Sequence, residues 1–444
     1  DLVRSRGLGD VYKRQEIVLS YSETLKGDAP YVLPLRGLPK LAELDIQVRG
    51  GAGTGGPKTF QRRDFSPAKD FVLDGKGVAR NAAIANDTLA VARVVPFTES
   101  RPEPIERAVV MVDTSASRAL DLDAEAELLA KVIAKLPPET RLSVHAFDEE
   151  VVPVFEGPAS AFGDKEVEAL RSRRALGASN LQLALERAKT IAAAGLKGGA
   201  AKRVILVTDG VTTVGETDAN KLAGVVESLG GAGVERLDAI AVGSVRDDAF
   251  LRRIAGKTLP KSGVVLQAER GPEAIARRLG EASSRNVPIT IEGARWSYPK
   301  TLDGLQSGDE VLVYAEYSEP RPVVVSAGGR VFHPAPRKVE RPLLERSWAK
   351  AKIESLVSTP LSQGPEETKK TIVALSTKHR VISPHTSFLV LETEWDYQRF
   401  NIDRRAKVDI LTVADGKVSV VKRSRTDDED SKEGDVTGTR SKDS

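Results

Sequence analysis

Ala108-Val-Val-Met-Val-Asp-Thr-Ser-Ala-Ser117 is the stretch on which the reading of this chain turns. Five apolar residues describe a buried strand, and it ends abruptly in a carboxylate followed by two alternating hydroxyls. In an open α/β sheet, ligands bind outside the carboxyl ends of the strands. Asp113, Ser115 and Ser117 therefore fall on a ligand-facing edge. The chain must turn on leaving the strand, so alternate side chains can curl around one point. A hard divalent cation takes oxygen donors of this kind.

Two further segments point the same way. Arg203-Val-Ile-Leu-Val-Thr-Asp-Gly210 places Asp209 directly after a second buried run. Leu176-Gly-Ala-Ser-Asn-Leu-Gln-Leu-Ala184 places the Ser179 hydroxyl just ahead of a helix. Each of these residues taken singly fits a helix N-cap, a position that Ser and Asp favour for backbone reasons alone. Taken together and in order they describe an oxygen-lined cation site.

The surrounding pattern alternates strand and helix. Strands are expected at Ala108–Val112, Arg141–Phe147, Val204–Val207, Leu237–Val242 and Val264–Gln267. Helices are expected at Ala124–Leu136, Leu181–Ala194, Lys221–Leu229, Asp248–Ala255 and Glu273–Ala282. Strands buried on both faces and alternating with helices imply an α/β domain with a doubly wound, mostly parallel sheet over 105–284. Leu142, Val144 and Phe147 read as an edge-like strand, followed by another at Val151–Phe155.

The flanks read as β-structure. Phe71–Leu73 and Leu89–Val95 lie before the α/β unit, and Ile289–Ile291, Glu310–Tyr317 and Val323–Val325 after it. Neither flank closes a sandwich alone. The economical reading is one β-sandwich from residues 66–104 and 285–340, with the α/β domain inserted between them. Residues 341–424 read as helices at Leu343–Ser358 and Glu366–Thr377, then a strand at Ser387–Glu394. Residues 425–444 are charged and almost free of apolar side chains, which implies disorder. Residues 1–15 resemble a translated adapter read-through at the end of a gene fragment, so the native N-terminus is expected to lie upstream.

The residues quoted above resemble the metal-ion-dependent adhesion site of von Willebrand factor type A domains: Asp-x-Ser-x-Ser, then a hydroxyl in a Gly-x-Thr loop, then an Asp in a Thr-Asp-Gly turn. The resemblance implies metal ligation by Ser115 and Ser117 directly and by Asp113 and Asp209 directly or through water. Ser179 stands where the family usually has Thr, which keeps the hydroxyl, and Ala116 replaces a frequent glycine. Ile17-Val-Leu-Ser-Tyr-Ser-Glu-Thr-Leu25, Tyr31-Val-Leu-Pro-Leu35 and Leu44-Asp-Ile-Gln-Val48 are similar to the last third of a VIT domain, which would occupy 16–50. Val381-Ile-Ser-Pro-His-Thr-Ser-Phe-Leu-Val-Leu-Glu392 is similar to a segment of bacterial relatives. The whole resembles the inter-alpha-trypsin inhibitor heavy-chain-like architecture in a bacterial version truncated at its front. No Asp-Pro dipeptide occurs, so the hyaluronan attachment of vertebrate heavy chains is not implied.

Composition narrows the function classes. Lys plus Arg number 66 against 63 Asp plus Glu, which gives no strong field for nucleic acid. The absence of cysteine removes disulfides, thiol catalysis and cysteine zinc sites, and the four histidines, at 145, 333, 379 and 385, make no histidine-rich run. No apolar run approaches the ~20 residues of a membrane span. Gly51-Ala-Gly-Thr-Gly-Gly-Pro-Lys-Thr59 is not a phosphate loop, because Pro57 splits the Gly-Lys pair and lacks an N–H donor; 51–65 reads as a flexible linker. His385 and Thr386 read as a satisfied turn, Trp348 and Trp395 as anchors onto the β domain, and Asp427–Asp430 as a solvated tail.

With no recognisable general base, the reading is a non-catalytic protein-binding or adhesion module. Its cofactor is Mg2+, or alternatively Mn2+ or Ca2+. Its partner is a protein whose exposed acidic residue completes the metal shell, as the resemblance implies. A scaffold whose cation only stabilises the fold is the alternative, and a metal-assisted hydrolase a more distant one. Family analogy also implies export to the periplasm, cell envelope or exterior.

Overall fold

The computed structural model describes residues 30–48, 58–73, 81–243, 245–256, 258–338, 342–387, 398–399, 410–414 and 417–421. The chain divides into two compact units, Leu25–Arg337 and a second formed by Asp1–Thr24 with Lys338–Ser444.

In the first unit, short strands come first: β1 (Tyr31–Leu33), β2 (Leu41–Val48), β3 (Lys58–Phe65), β4 (Phe71–Leu73), β5 (Ala82–Ala85) and β6 (Leu89–Val94). Two expectations are corrected here. The linker assigned to 51–65 is a strand from Lys58 onward, antiparallel to β2 with Ile46 opposite Phe60. Gly and Pro crowd only residues 51–57; beyond them Phe60 packs against Phe65 and Phe71, at 6.5 and 5.9 Å between ring centroids. Phe71–Leu73 pairs with Tyr31–Leu33 and not with the strands assigned to the sandwich. Residues 1–15 and the similarity over Ile17–Leu25 lie outside the described residues.

The α/β domain follows. Its strands are β7 (Arg107–Asp113), β8 (Arg141–Phe147), β9 (Val151–Pro158), β10 (Arg203–Thr208), β11 (Arg236–Ala241) and β12 (Val265–Gln267). Its helices are α1 (Leu122–Ile133), α2 (Asp164–Arg171), α3 (Leu181–Ala194), α4 (Ala219–Leu229), α5 (Asp248–Gly256) and α6 (Pro272–Leu279). The sheet order is β12-β11-β10-β7-β8-β9, parallel except for β9. β8 is thus not an edge, because antiparallel β9 covers it. Alternation along β7 builds both layers. Val110 and Val112 join Leu129, Val132, Ile275 and Leu279 of α1 and α6, while Val109 and Met111 join Leu185, Leu222 and Leu251 of α3, α4 and α5. A strand buried on both faces has to be apolar at every position, as β7 is from Ala108 to Val112.

After the domain come β13 (Val287–Ile291), β14 (Trp296–Tyr298), β15 (Thr301–Leu302), β16 (Val311–Glu316), β17 (Val325–Ala327) and β18 (Arg330–Phe332). One sheet runs β15-β13-β17-β18, and a second contains β14-β16-β6-β5 in order. β16 pairs with β6 over its whole length, joining sequence from either side of the α/β domain. Ala90, Ala92 and Val94 share a core with Ile289, Val313 and Val325. Both flanks therefore build one sandwich around the inserted domain.

The second unit holds α7 (Pro342–Ser358), α8 (Pro365–His379) and a hairpin of Ile410–Ala414 with Lys417–Val421. Ile353, Leu356 and Ile372 form its apolar centre. Trp348, expected to anchor onto the β domain, sets its ring edge-on to His379 at 5.7 Å. Trp395, the strand expected at Ser387–Glu394 beyond its first residue, and the charged tail lie outside the described residues. The turn at Ser-Pro-His-Thr is satisfied internally: the Thr386 hydroxyl lies 2.9 Å from that of Ser383 and accepts from its N–H at 3.0 Å.

Candidate cation site

The site lies where β7 and β10 end side by side. Their register sets Val207 opposite Val112, so the next residues, Thr208 and Asp113, are neighbours. Thr208 donates its hydroxyl to Asp113 Oδ2 at 2.7 Å. Ser179 reaches the same oxygen at 3.0 Å, and the Ser115 N–H donates to Oδ1 at 3.0 Å. The Ser115 and Ser117 hydroxyls stand 3.1 Å apart. Four of the five sequence-derived residues, Asp113, Ser115, Ser179 and Asp209, are buried, and Ser117 is exposed at the mouth.

The loops are fastened to one another by backbone bonds. Ala116 N–H donates to Gly177 C=O at 2.9 Å, and Thr213 N–H to Ser179 C=O at 3.0 Å. Gly210 has φ +78°, and a side chain there would press its Cβ to 2.8 Å from Leu251 Cγ, so the Asp209 turn needs glycine. N-capping does not account for the five residues. Asn180 caps α3 by accepting from Leu183 N–H at 3.1 Å, Asp218 caps α4, and Ser115 makes no side-chain cap bond.

Three residues of this arrangement were not singled out in the sequence. Thr208 is one, and its place directly before Asp209 on the central strand was the available signal. Arg118 is another: its buried guanidinium pairs with Asp209, donates to Glu125 Oε1 at 3.0 Å and Val242 C=O at 3.1 Å, and lies 3.3 Å from the Ser117 hydroxyl. Gly243, at φ +84°, leaves the room, since a Cβ there would stand 2.2 Å from Arg118 Nη1. Glu125 is the third, and burial pushes its carboxyl up to about 7 against the pull of Arg118.

The donor set can be weighed against a cation. Burial raises the Asp113 carboxyl above its usual range, the donated hydrogen bonds oppose that, and the nearby Asp209 charge adds to it. Among the described residues no basic side chain pairs with Asp113, and no cluster of three His, Cys, Asp or Glu groups could hold a metal. What converges instead is two carboxylates and three serine hydroxyls, all hard oxygen donors. A buried carboxylate without a counter-charge, beside a second carboxylate, fits a hard divalent cation.

Residues 109–273 match the model of the von Willebrand factor type A domain. No curated protein matches the chain. Among solved structures, the chain is similar to a von Willebrand factor type A protein from Catenulispora acidiphila. They share 16% identity over 77% of this chain and 90% of that one, with a TM-score of 0.35. It is also similar to the ArnB paralog VWA2 from Sulfolobus acidocaldarius, at 13% identity over 68% and 88% of the two chains and a TM-score of 0.30. A third is proximal thread matrix protein 1 from the mussel byssus, in a form with a zinc-occupied MIDAS motif. That match has 17% identity over 44% of this chain and 52% of that one, with a TM-score of 0.32. It is the match over residues 109–273 that makes the α/β domain a von Willebrand factor type A domain.

Proposed function

We propose that Asp113, Ser115, Ser117, Ser179 and Asp209 hold one divalent cation, and that the cation docks a protein partner through an acidic side chain. The observation that carries this reading is the gathering of five oxygen-bearing side chains from three loops, among them a buried Asp113 carboxylate that takes the Ser179 hydroxyl and has no basic partner. Mg2+ suits an all-oxygen set that leaves room for water, with Mn2+ or Ca2+ as substitutes. A bound cation supplies a Lewis-acidic position at the sheet edge. This chain's residues orient it: Thr208 and Ser179 fix the Asp113 carboxylate, and Arg118 fixes Asp209.

Adhesion is favoured over hydrolysis because Glu125, whose carboxyl burial pushes up to about 7, is buried against Arg118 and away from solvent. Docking is favoured over mere bracing because Arg118 already supplies a positive charge to Asp209, so the loops have an internal counter-ion. An exported protein of inter-alpha-trypsin heavy-chain-like architecture, with residues 16–50 as the end of a VIT domain, fits this role. Among the described residues no helix is long and apolar enough to cross a membrane.

Isothermal titration of the full chain with Mn2+ tests the reading. One cation should bind per chain, and Asp113→Ala should weaken binding at least about a hundredfold, as expected when a ligand's ~3 kcal/mol is removed. Equal binding by wild type and variant, or none by wild type, overturns it.

A further inference from the structure

Apolar side chains on the surface of the α/β domain are not scattered. Among its described residues the exposed large ones are Leu120, Leu176, Val211, Val214 and Val245, between 36% and 77% exposed. Four stand on the loops that carry the cation site, and Val245 stands on the adjoining loop between β11 and α5, where Asp247 N–H donates to Asp209 C=O at 2.8 Å. Leu120 is three residues after Ser117, and Leu176 three before Ser179. Val211 N–H donates to Asp209 Oδ1 at 2.8 Å, and Val214 N–H to Ser179 C=O at 3.2 Å. Val245 is three residues after Val242, whose carbonyl receives Arg118. Single exposed apolar residues need no explanation, whereas a group gathered on one functional edge marks an interaction surface.

We infer that these five side chains form an apolar collar around the cation site, and that the partner is a protein segment carrying a carboxylate flanked by apolar residues. This rests on the cation reading above. A hard cation selects an oxygen anion at its open position. A collar of leucine and valine adds nothing for a solvated acidic side chain alone, but it gains from apolar neighbours that leave water with it. The collar therefore supplies selectivity among acidic segments, and the cation supplies the anchor. Binding sites commonly combine a desolvated apolar surround with a few central polar contacts in this way.

The test is selection of a random displayed peptide library on the full chain in Mn2+, with release by chelator. It is repeated on a Leu120→Ser, Leu176→Ser, Val245→Ser variant. These residues are exposed, so the variant should fold, and titration should show its Mn2+ binding unchanged. Recovered peptides should hold an Asp or Glu with apolar residues on both sides, and the variant should bind them roughly tenfold or more weakly. Acidic peptides without apolar enrichment, or equal binding by the variant, overturn the collar while leaving the cation reading intact. Failure to enrich any peptide on a chain that binds Mn2+ overturns it as well. Absence of Mn2+ binding by the wild type removes the cation reading and the collar's role with it.

Discussion

Arg118 is the residue that most alters how the site works. A buried guanidinium is costly unless paired, and here it meets Asp209, Glu125 and a carbonyl. In the proposed site it would compete with a divalent cation for Asp209 while holding the loops together. Arg118→Met should act in two opposite directions. Without metal the variant should lose about 3 kcal/mol, the scale for a buried pair that loses one partner. Its Mn2+ affinity should rise about tenfold, or ~1.4 kcal/mol, as Asp209 is released. Thermal unfolding with chelator and with Mn2+ reads both, and an unchanged Mn2+-induced shift would sink the account. The five residues proposed as oxygen ligands were legible because Asp113, Ser115, Ser117 and Asp209 end or follow apolar runs and Ser179 stands just ahead of a helix. Arg118 was not, because arginine is rarely buried and its partners lie 7 and 91 residues away in sequence.

Elements were legible where burial is two-sided or strongly periodic, as in α3, which spans Leu181–Ala194 as read. They were missed where tertiary pairing supplies what the sequence lacks. α2 buries only Val167 and Leu170, and β5 is Ala-Ala-Ile-Ala, held by pairing with β6. The error over β8 has a chemical trace. Ser143 and His145 alternate with Leu142 and Val144, yet both are buried, with the Ser143 hydroxyl 2.9 Å from His145 Nε2. Burial, and then the charge of Arg187, lower the His145 basicity below its usual value. A base depressed in the fold contributes stability above its unfolded value of about 6.5 and loses it as pH falls through that value. Glu125 works oppositely: its contribution is complete at acid pH and is lost as pH rises through about 7. The two partly cancel, so only a difference isolates either. Between about pH 7.5 and 5.5, His145→Gln should lose less urea stability than the wild type. Parallel loss in both would show that His145 is not the proton-linked group.

On the scale of the whole molecule, the inserted domain must be entered and left at neighbouring points, and the structure fastens them together. Glu103 N–H donates to Gly280 C=O at 2.7 Å, and Pro102 bridges Glu281. Beneath this crossing, fully buried Asp238 accepts from Arg203 at 2.6 Å and Arg236 at 2.7 Å. Arg203 extends to Glu103 and Leu279 C=O, and Arg236 to Glu281 C=O. Arg203 and Arg236 begin β10 and β11, so the clasp sits at the amino ends of the strands, a strand's length (~20 Å) from the cation site. Asp238→Ala would leave two buried guanidinium groups without their shared carboxylate, which should cost about 3–5 kcal/mol in denaturant unfolding. At that separation and with no shared partner, effects on the two sites should be independent. Mn2+ affinity of the folded variant should therefore match wild type. A cost under ~1 kcal/mol would mean water reaches the clasp and screens it. A loss of Mn2+ binding in the folded variant would mean that the two ends of the sheet are coupled, and that the clasp belongs to the function as well as to the fold.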